Sequence, residues 1–411
     1  MDSGADGAMP AGTPGGRRHL GVTGNPDYDG RPFTDFASVT PETDLRALNL
    51  NWRERDLPER ERTKHVHRLH PYLGKFVPQM AEIFLRKYRP RVVCDPFCGS
   101  GTTLVEANAL GIESVGCDIS PFNCLLTKVK TDRYDLDVLE RAVHDILTQL
   151  RLSLEPSLFG DGRQVEETES EYLRKWFAPQ VRRQLLLYRS LIPRHPYQEL
   201  LKVVLSRAAR SSRLTTHFDL DFPKEPVTQP YYCHKHRRIC HPTTDALKFL
   251  ERYSLDAVRR IKEFARLRTN AKATVIQGDA RRVGFPACDM VLTSPPYVGL
   301  IDYHEQHRYA FELLGLSEAR EQEIGASWKG HSRRAVEAYV EEMTAALGNV
   351  MRAMPPGTIL VIVVHDRMDL YDTIGQRLGV RLEYRFRRHV NRRTGRRADD
   401  FFEDVIVWRR P

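Results

Sequence analysis

Two short stretches of this 411-residue chain combine residue types and spacings suited to chemistry. The first is Ser294-Pro295-Pro296-Tyr297, which closes the apolar run at 289–293. Two adjacent prolines cannot extend a central strand, and they hold a rigid extended turn whose carbonyls face outward without competing donors. Such acceptors suit an exocyclic amine. Its lone pair is delocalised into the ring until hydrogen bonds to its two N–H groups favour a more tetrahedral nitrogen. The Ser294 hydroxyl and the Pro295 carbonyl can accept those bonds, and Tyr297 offers a face on which an extruded base can stack. Attack by that nitrogen on an electrophile then needs mainly positioning. Taken alone, Pro-Pro after a strand is also an ordinary stop signal.

The second stretch is Asp95-Pro96-Phe97-Cys98-Gly99-Ser100-Gly101-Thr102, where an apolar strand hands over to a helix. Gly99 and Gly101 let the backbone turn tightly and approach a ligand with no Cβ in the way, and the helix start offers unpaired N–H donors. Asp95 ends this strand and Asp118 ends the next, about 20 residues on, where a carboxylate can accept from both hydroxyls of a ribose. That fits a nucleoside cofactor. A nicotinamide dinucleotide fits less well, because Leu104 stands where its fingerprint has a third glycine and Asp95 would face a pyrophosphate. No Gly-Lys-Ser/Thr follows, which excludes a phosphate loop of the nucleotide-triphosphatase kind.

The elements that must position these residues are legible from periodicity. Helical spacing at 78–88 precedes a strand at 91–95, a helix at 102–110, a strand at 114–118 and a helix at 121–130 that opens with proline. Long helical patterns at 171–191, 198–213 and 244–267 surround an irregular basic and aromatic segment at 223–242. Strands resume at 274–277 and 289–293. A helix at 335–354, the apolar strand at 359–364 and strands at 381–389 and 403–408 follow, the last two joined by a turn at 391–397. The expected fold is α/β, doubly wound, with a mainly parallel sheet, an antiparallel edge and a helical insertion. Residues 46–134 and 271–411 form the catalytic domain, 135–270 an inserted helical module, and 1–45 a largely disordered leader rich in Gly, Pro, Ala and Asp. No repeat of solenoid period is present.

Net charge of +9 and a pI near 9.2 favour a polyanionic partner. Seven cysteines, an odd number with no secretory segment, point to free thiols in a reducing cytoplasm. No stretch approaches the roughly 20 apolar residues that span a bilayer, which argues against a membrane role.

Together the two stretches resemble the DNA amino-methyltransferases, which methylate adenine N6 or cytosine N4. The resemblance implies a Rossmann-like, class I fold and S-adenosyl-L-methionine as cofactor. It assigns the loop from Asp95 to Thr102 to cofactor binding, with Asp118 on the ribose and Ile119 beside it. It makes Ser294, Pro295, Pro296 and Tyr297 catalytic. The Ser form of the turn looks like the cytosine-N4 branch, whereas adenine enzymes more often carry Asp or Asn there. Upstream, His70-Pro-Tyr72-Leu-Gly-Lys75-Phe76 is similar to the segment that closes the methionine end of the site, implicating Tyr72, Lys75 and Phe76. Gln277-Gly-Asp279 resembles the position near the cofactor adenine, implicating Asp279. The resemblance spans roughly 65–130 and 272–411, and its order leaves 135–270 as the natural target-recognition region. It implies double-stranded DNA with a flipped base as partner and, in a restriction-modification system, a cognate endonuclease. Neither a metal nor a covalent enzyme intermediate is needed, and no Pro-Cys nucleophile stands at the catalytic turn. Adenine N6, a base in RNA, or an inactive nucleic-acid binder remain open.

Other constellations carry less. Tyr231 to His241 packs two cysteines, three histidines, two aromatics and three basic residues into eleven positions. The Cys233 to Cys240 spacing is not that of a zinc finger or ribbon, and a basic aromatic loop meeting phosphates or a base is the better reading. Asp302, Tyr303 and His304 follow the catalytic turn as pocket candidates or plain loop residues. His365-Asp366 receives no role, and the arginines at 391–397 read as a solvated hairpin tip.

Overall fold

The computed structural model describes residues 32–52, 55–74, 76–155, 170–214, 225–233, 237–390 and 401–411. Ten of its strands and helices carry the early chain: α1 (Glu59–Arg62), α2 (Pro78–Tyr88), β1 (Val92–Asp95), α3 (Thr102–Ala109), β2 (Glu113–Asp118), α4 (Pro121–Thr131), α5 (Leu136–Leu154), α6 (Glu171–Trp176), α7 (Pro179–Leu191) and α8 (Gln198–Ser212). Then come β3 (Tyr231–Cys233), β4 (Arg238–Cys240), α9 (Leu247–Ala265), β5 (Ala273–Gln277), β6 (Met290–Thr293), α10 (Tyr303–Leu314), α11 (Arg333–Met351), β7 (Ile359–Val364), α12 (Leu370–Leu378), β8 (Arg381–His389) and β9 (Phe402–Arg409).

Seven strands form one sheet in the order β5-β2-β1-β6-β7-β9-β8. The first five are parallel, while β9 runs antiparallel to both β7 and β8. This is the doubly wound α/β sheet with an antiparallel edge that the periodicity predicted. Every residue of β7 is buried, as a strand covered on both faces requires. Ile359, Val361 and Val363 face a cluster with α2, and Leu360, Ile362 and Val364 face one with α11 and α12.

Helices α5 to α9 fill the stretch between α4 and β5. Their apolar faces share one cluster with Phe122 and Leu126 of α4 and Tyr309 and Phe311 of α10. The helix expected at 171–191 is two. Pro179, with no N–H and a ring that disfavours helix at Ala178, ends α6 before it and opens α7. Residues 1–31 lie outside the described residues, as does the turn at 391–397. The disordered leader expected to reach residue 45 is corrected over 32–45. Asn49 N–H donates to Thr34 Oγ1 (2.7 Å), and Val39, Leu48, Leu50 and Trp52 are buried in the cluster with α2. Among the described residues, no helix is long and apolar enough to cross a membrane. None of the seven cysteines is in a disulfide.

Candidate active site

The strand order reverses at β1, which pairs with β2 on one side and β6 on the other. Loops leaving the carboxyl ends of β1 and β6 therefore diverge and open a crevice. A cleft lined by both loops lies there.

The loop after β1 is tied down from behind, so its free surface faces the cleft. Cys98 N–H donates to Cys117 O (2.9 Å), Thr127 Oγ1 to Gly99 O (3.0 Å) and Lys130 Nζ to Ser100 O (2.7 Å). Gly99 and Gly101 sit at φ +50° and +80°, in the left-handed region. A Cβ on Gly99 would stand 3.0 Å from the Tyr72 hydroxyl, and one on Gly101 would stand 2.9 Å from the Thr127 side chain.

Three donors converge on Asp118: Gly99 N–H (2.9 Å), Ser120 N–H (2.8 Å) and Asn123 Nδ2 (3.0 Å). Even so, burial outweighs these bonds and lifts its carboxyl to about 6. Asp95 is lifted to about 6 for the same reason, against bonds from Thr293, Thr103 and the Phe97 N–H. The Thr293 hydroxyl donates to Asp95 Oδ1 at 2.5 Å, which joins the end of β6 to the end of β1 and sets the catalytic turn beside the glycine loop.

Of the residues expected to hold a cofactor, Tyr72, Phe76, Asp95, Pro96, Phe97, Cys98, Gly99, Ser100, Thr102, Asp118, Ile119 and Asp279 line the cleft. Gly101 sits behind it against Thr127. Lys75 lies outside the described residues. The Asp279 carboxylate is already engaged by Arg281, through Nε at 2.9 Å and a second guanidinium nitrogen at 2.8 Å, and is held below the usual carboxylate range despite partial burial. Asn123, Tyr303, Gln322, Glu323 and Ile324 also line it. Tyr303 stacks on Tyr72 at 5.7 Å between ring centres.

At the catalytic turn, Ser294 and Pro296 reach the cleft wall, and Pro295 and Tyr297 do not line it. Ser294 Oγ is closed off from solvent and makes no hydrogen bond of normal geometry among the described residues. The Pro296 carbonyl accepts from Tyr339 (2.9 Å), whose hydroxyl also meets that of Tyr371 (2.9 Å). Tyr297 donates to Glu403 Oε1 (3.2 Å), and burial followed by the Glu403 charge pushes its hydroxyl well up. Its ring centre is 6.1 Å from that of His365.

A profile of the DNA methylase family of N6 and N4 methyltransferases matches residues 43–129. The Type II methyltransferase M.MjaII of Methanocaldococcus jannaschii is 35% identical over 430 aligned positions, covering 85% of this chain and 81% of its own. The chain belongs to the DNA amino-methyltransferase family. Shorter similarities reach the Type II methyltransferases M.MvaI of Kocuria varians, 37% identical over 21% of this chain and 20% of its own, and M.BsoBI of Geobacillus stearothermophilus, 28% over 27% and 24%.

Fold and family imply S-adenosyl-L-methionine, and the residues of this amino-methyltransferase fit it. The cleft lacks a Cβ where Gly99 turns, carries a buried Ser100 hydroxyl without a partner, and shows no Lys, Arg or His among its described lining residues. A cleft whose described lining is acidic suits a positively charged nucleoside and not a pyrophosphate.

His65, His67 and Glu106 form the one described group of such side chains close enough to share an ion. Lys64 Nζ lies 2.8 Å from Glu106 Oε2 and His67 Nε2 2.8 Å from Oε1, so the buried carboxylate is matched within the protein. Burial, then its neighbour His67, holds His65 neutral, down to about 3. In the 231–241 segment, β3 and β4 form a hairpin in which Cys233 faces Arg238 and Cys240 faces Tyr231, while 234–236 lie outside the described residues. Asp302 caps α10 and pairs with Arg320 (2.5 Å), and His304 is buried against Glu323.

Proposed function

We propose that this protein is a site-specific Type II DNA methyltransferase that methylates the exocyclic N4 of cytosine in double-stranded DNA, taking the methyl group from S-adenosyl-L-methionine. The observation that carries the reading is the unpartnered Ser294 hydroxyl just past β6, next to the Pro295 carbonyl. Ser294 Oγ is buried on a residue that lines the cleft and has no hydrogen-bond partner among the described residues, and the Pro295 carbonyl follows it in the chain. A flipped amino base supplies the two N–H groups that such a pair would take. Removing those groups from the ring plane exposes the nitrogen lone pair. When bound, the cofactor supplies an electrophilic methyl group on a positively charged sulfur. Residues Asp95 to Thr102, Asp118, Ile119, Asp279, Tyr72, Lys75 and Phe76 hold it. Pro296, braced by Tyr339, keeps the turn rigid, and Tyr297, anchored by Glu403, borders the base.

Helices α5 to α9 serve as the target-recognition module in this reading, with the basic hairpin of β3 and β4 on the DNA side. The enzyme works in the cytoplasm, and a cognate endonuclease would read the same site. Names of the relatives as Type II methyltransferases and the +9 net charge support DNA as the substrate. The test is to incubate the protein with unmethylated genomic DNA and the cofactor, digest to nucleosides and identify the product by mass spectrometry. Expected is 4-methylcytosine. Appearance of 6-methyladenine overturns the base assignment, and methylation of RNA alone overturns DNA as substrate.

A further inference from the structure

The segment between α10 and α11 contributes Glu323 to the cleft wall. Its side chain is 7% exposed. Glu323 Oε1 lies 2.5 Å from His304 Nδ1, and His304 Nε2 accepts from the Ala319 N–H at 3.1 Å. With Nε2 as acceptor, the ring carries its proton on Nδ1, so Glu323 accepts there. Its second oxygen, Oε2, is buried with no partner among the described residues. The backbone around it is fixed: Lys329 Nζ donates to Glu323 O (2.5 Å) and Arg281 to Gln322 O (3.2 Å). An unpartnered carboxylate oxygen on a residue that lines the cleft calls for a donor or a positive charge, which a ligand in the cleft can bring.

The charge inventory of the cleft says which. Its described lining holds Asp95, Asp118, Asp279 and Glu323 and no basic side chain. Arg281 neutralises Asp279, whereas Asp95 and Asp118 receive bonds mainly from neutral donors. Among the described lining residues negative charge is therefore in excess, on carboxylates whose burial strengthens Coulomb interactions. The methyl donor carries a sulfonium charge that is gone from S-adenosyl-L-homocysteine, the product left after transfer. The two are otherwise nearly the same shape.

We propose that Glu323 binds the sulfonium of the methyl donor and makes the cleft prefer the donor to its thioether product, an inference that rests on the reading of this cleft as the S-adenosyl-L-methionine site. The reaction leaves the product in a cleft that has lost its charge partner, which favours release and exchange for fresh donor.

The experiment is calorimetric titration of wild type, Glu323→Gln and Glu323→Asp with S-adenosyl-L-methionine and with S-adenosyl-L-homocysteine. Glu323→Gln is expected to weaken the donor by about tenfold or more and the product by no more than about twofold. Glu323→Asp, which keeps the charge, is expected to retain the donor preference. Unchanged donor affinity in Glu323→Gln, or equal losses for both ligands, overturns the proposal and leaves the cofactor assignment standing. Failure of wild type to bind either ligand overturns both. If Glu323→Gln does not fold, His304→Gln decides, because it loosens Glu323 without removing it. A donor-to-product ratio a few-fold lower is expected, and an unchanged ratio overturns the proposal.

Discussion

Acidification from pH 7 to pH 5 should weaken cofactor binding steeply. Asp95 and Asp118 are each lifted from 3.8 to about 6, in both cases by burial first. A carboxyl with that value is about nine-tenths ionised at pH 7 and about one-tenth at pH 5. If the cationic ligand is held by the ionised forms, affinity falls about tenfold per carboxylate, or about a hundredfold for the pair. Stability without ligand moves the opposite way. The folded value lies above the unfolded one, so the native state binds more protons between about pH 4 and pH 6. The associated stability is present below about pH 4 and is lost as pH rises through about 6, on the order of 3 kcal/mol per carboxyl. Titration calorimetry at constant ionic strength from pH 5 to pH 8 reads the binding term, and Asp118→Asn should flatten its slope to a single tenfold step. An affinity independent of pH, or one that rises on acidification, would refute the reasoning.

Three further outcomes are expected. Ser294→Ala removes one acceptor for the target amine and should lower single-turnover methyl transfer by about a hundredfold while cofactor affinity, measured by calorimetry, stays within about twofold. Tyr339→Phe removes the donor on the Pro296 carbonyl and should lower the same rate by about tenfold with cofactor affinity unchanged; a change in affinity alone would move Tyr339 out of the turn's support. Gly99→Ala forces a Cβ onto a left-handed residue beside the Tyr72 hydroxyl. It should lower stability by about 1–2 kcal/mol in denaturant unfolding and weaken the cofactor in the same protein.

The parts of the site that were legible in the sequence are those encoded locally. Asp95 to Thr102 and Ser294 to Tyr297 are each a strand end followed by residues that only a turn tolerates, so type and spacing disclose them. Glu323 and Asn123 were not legible, because each reaches the cleft through contacts distant in sequence. Helix α10 escaped for a different reason. Its buried positions include His304, His307 and Tyr309, polar residue types that hide an apolar stripe. Asp279 shows the reverse: its position was legible, but its engagement by Arg281, two residues on, was a local signal that went unread.

The cleft is stitched from segments that leave the ribosome far apart. Tyr72 and Phe76 come before β1, the glycine turn and Asp118 follow soon after, and Ser294, Tyr303 and Glu323 come only once α5 to α9 have been made. A nascent chain holding everything through α9 has the glycine turn but neither the wall that faces it nor the β6 strand that ties Asp95 through Thr293. Ligand affinity thus arises late in synthesis. A ligand that binds only the native state stabilises it by an amount that grows with the logarithm of its concentration above Kd, so a ligand in this cleft would stabilise only a chain folded through Glu323.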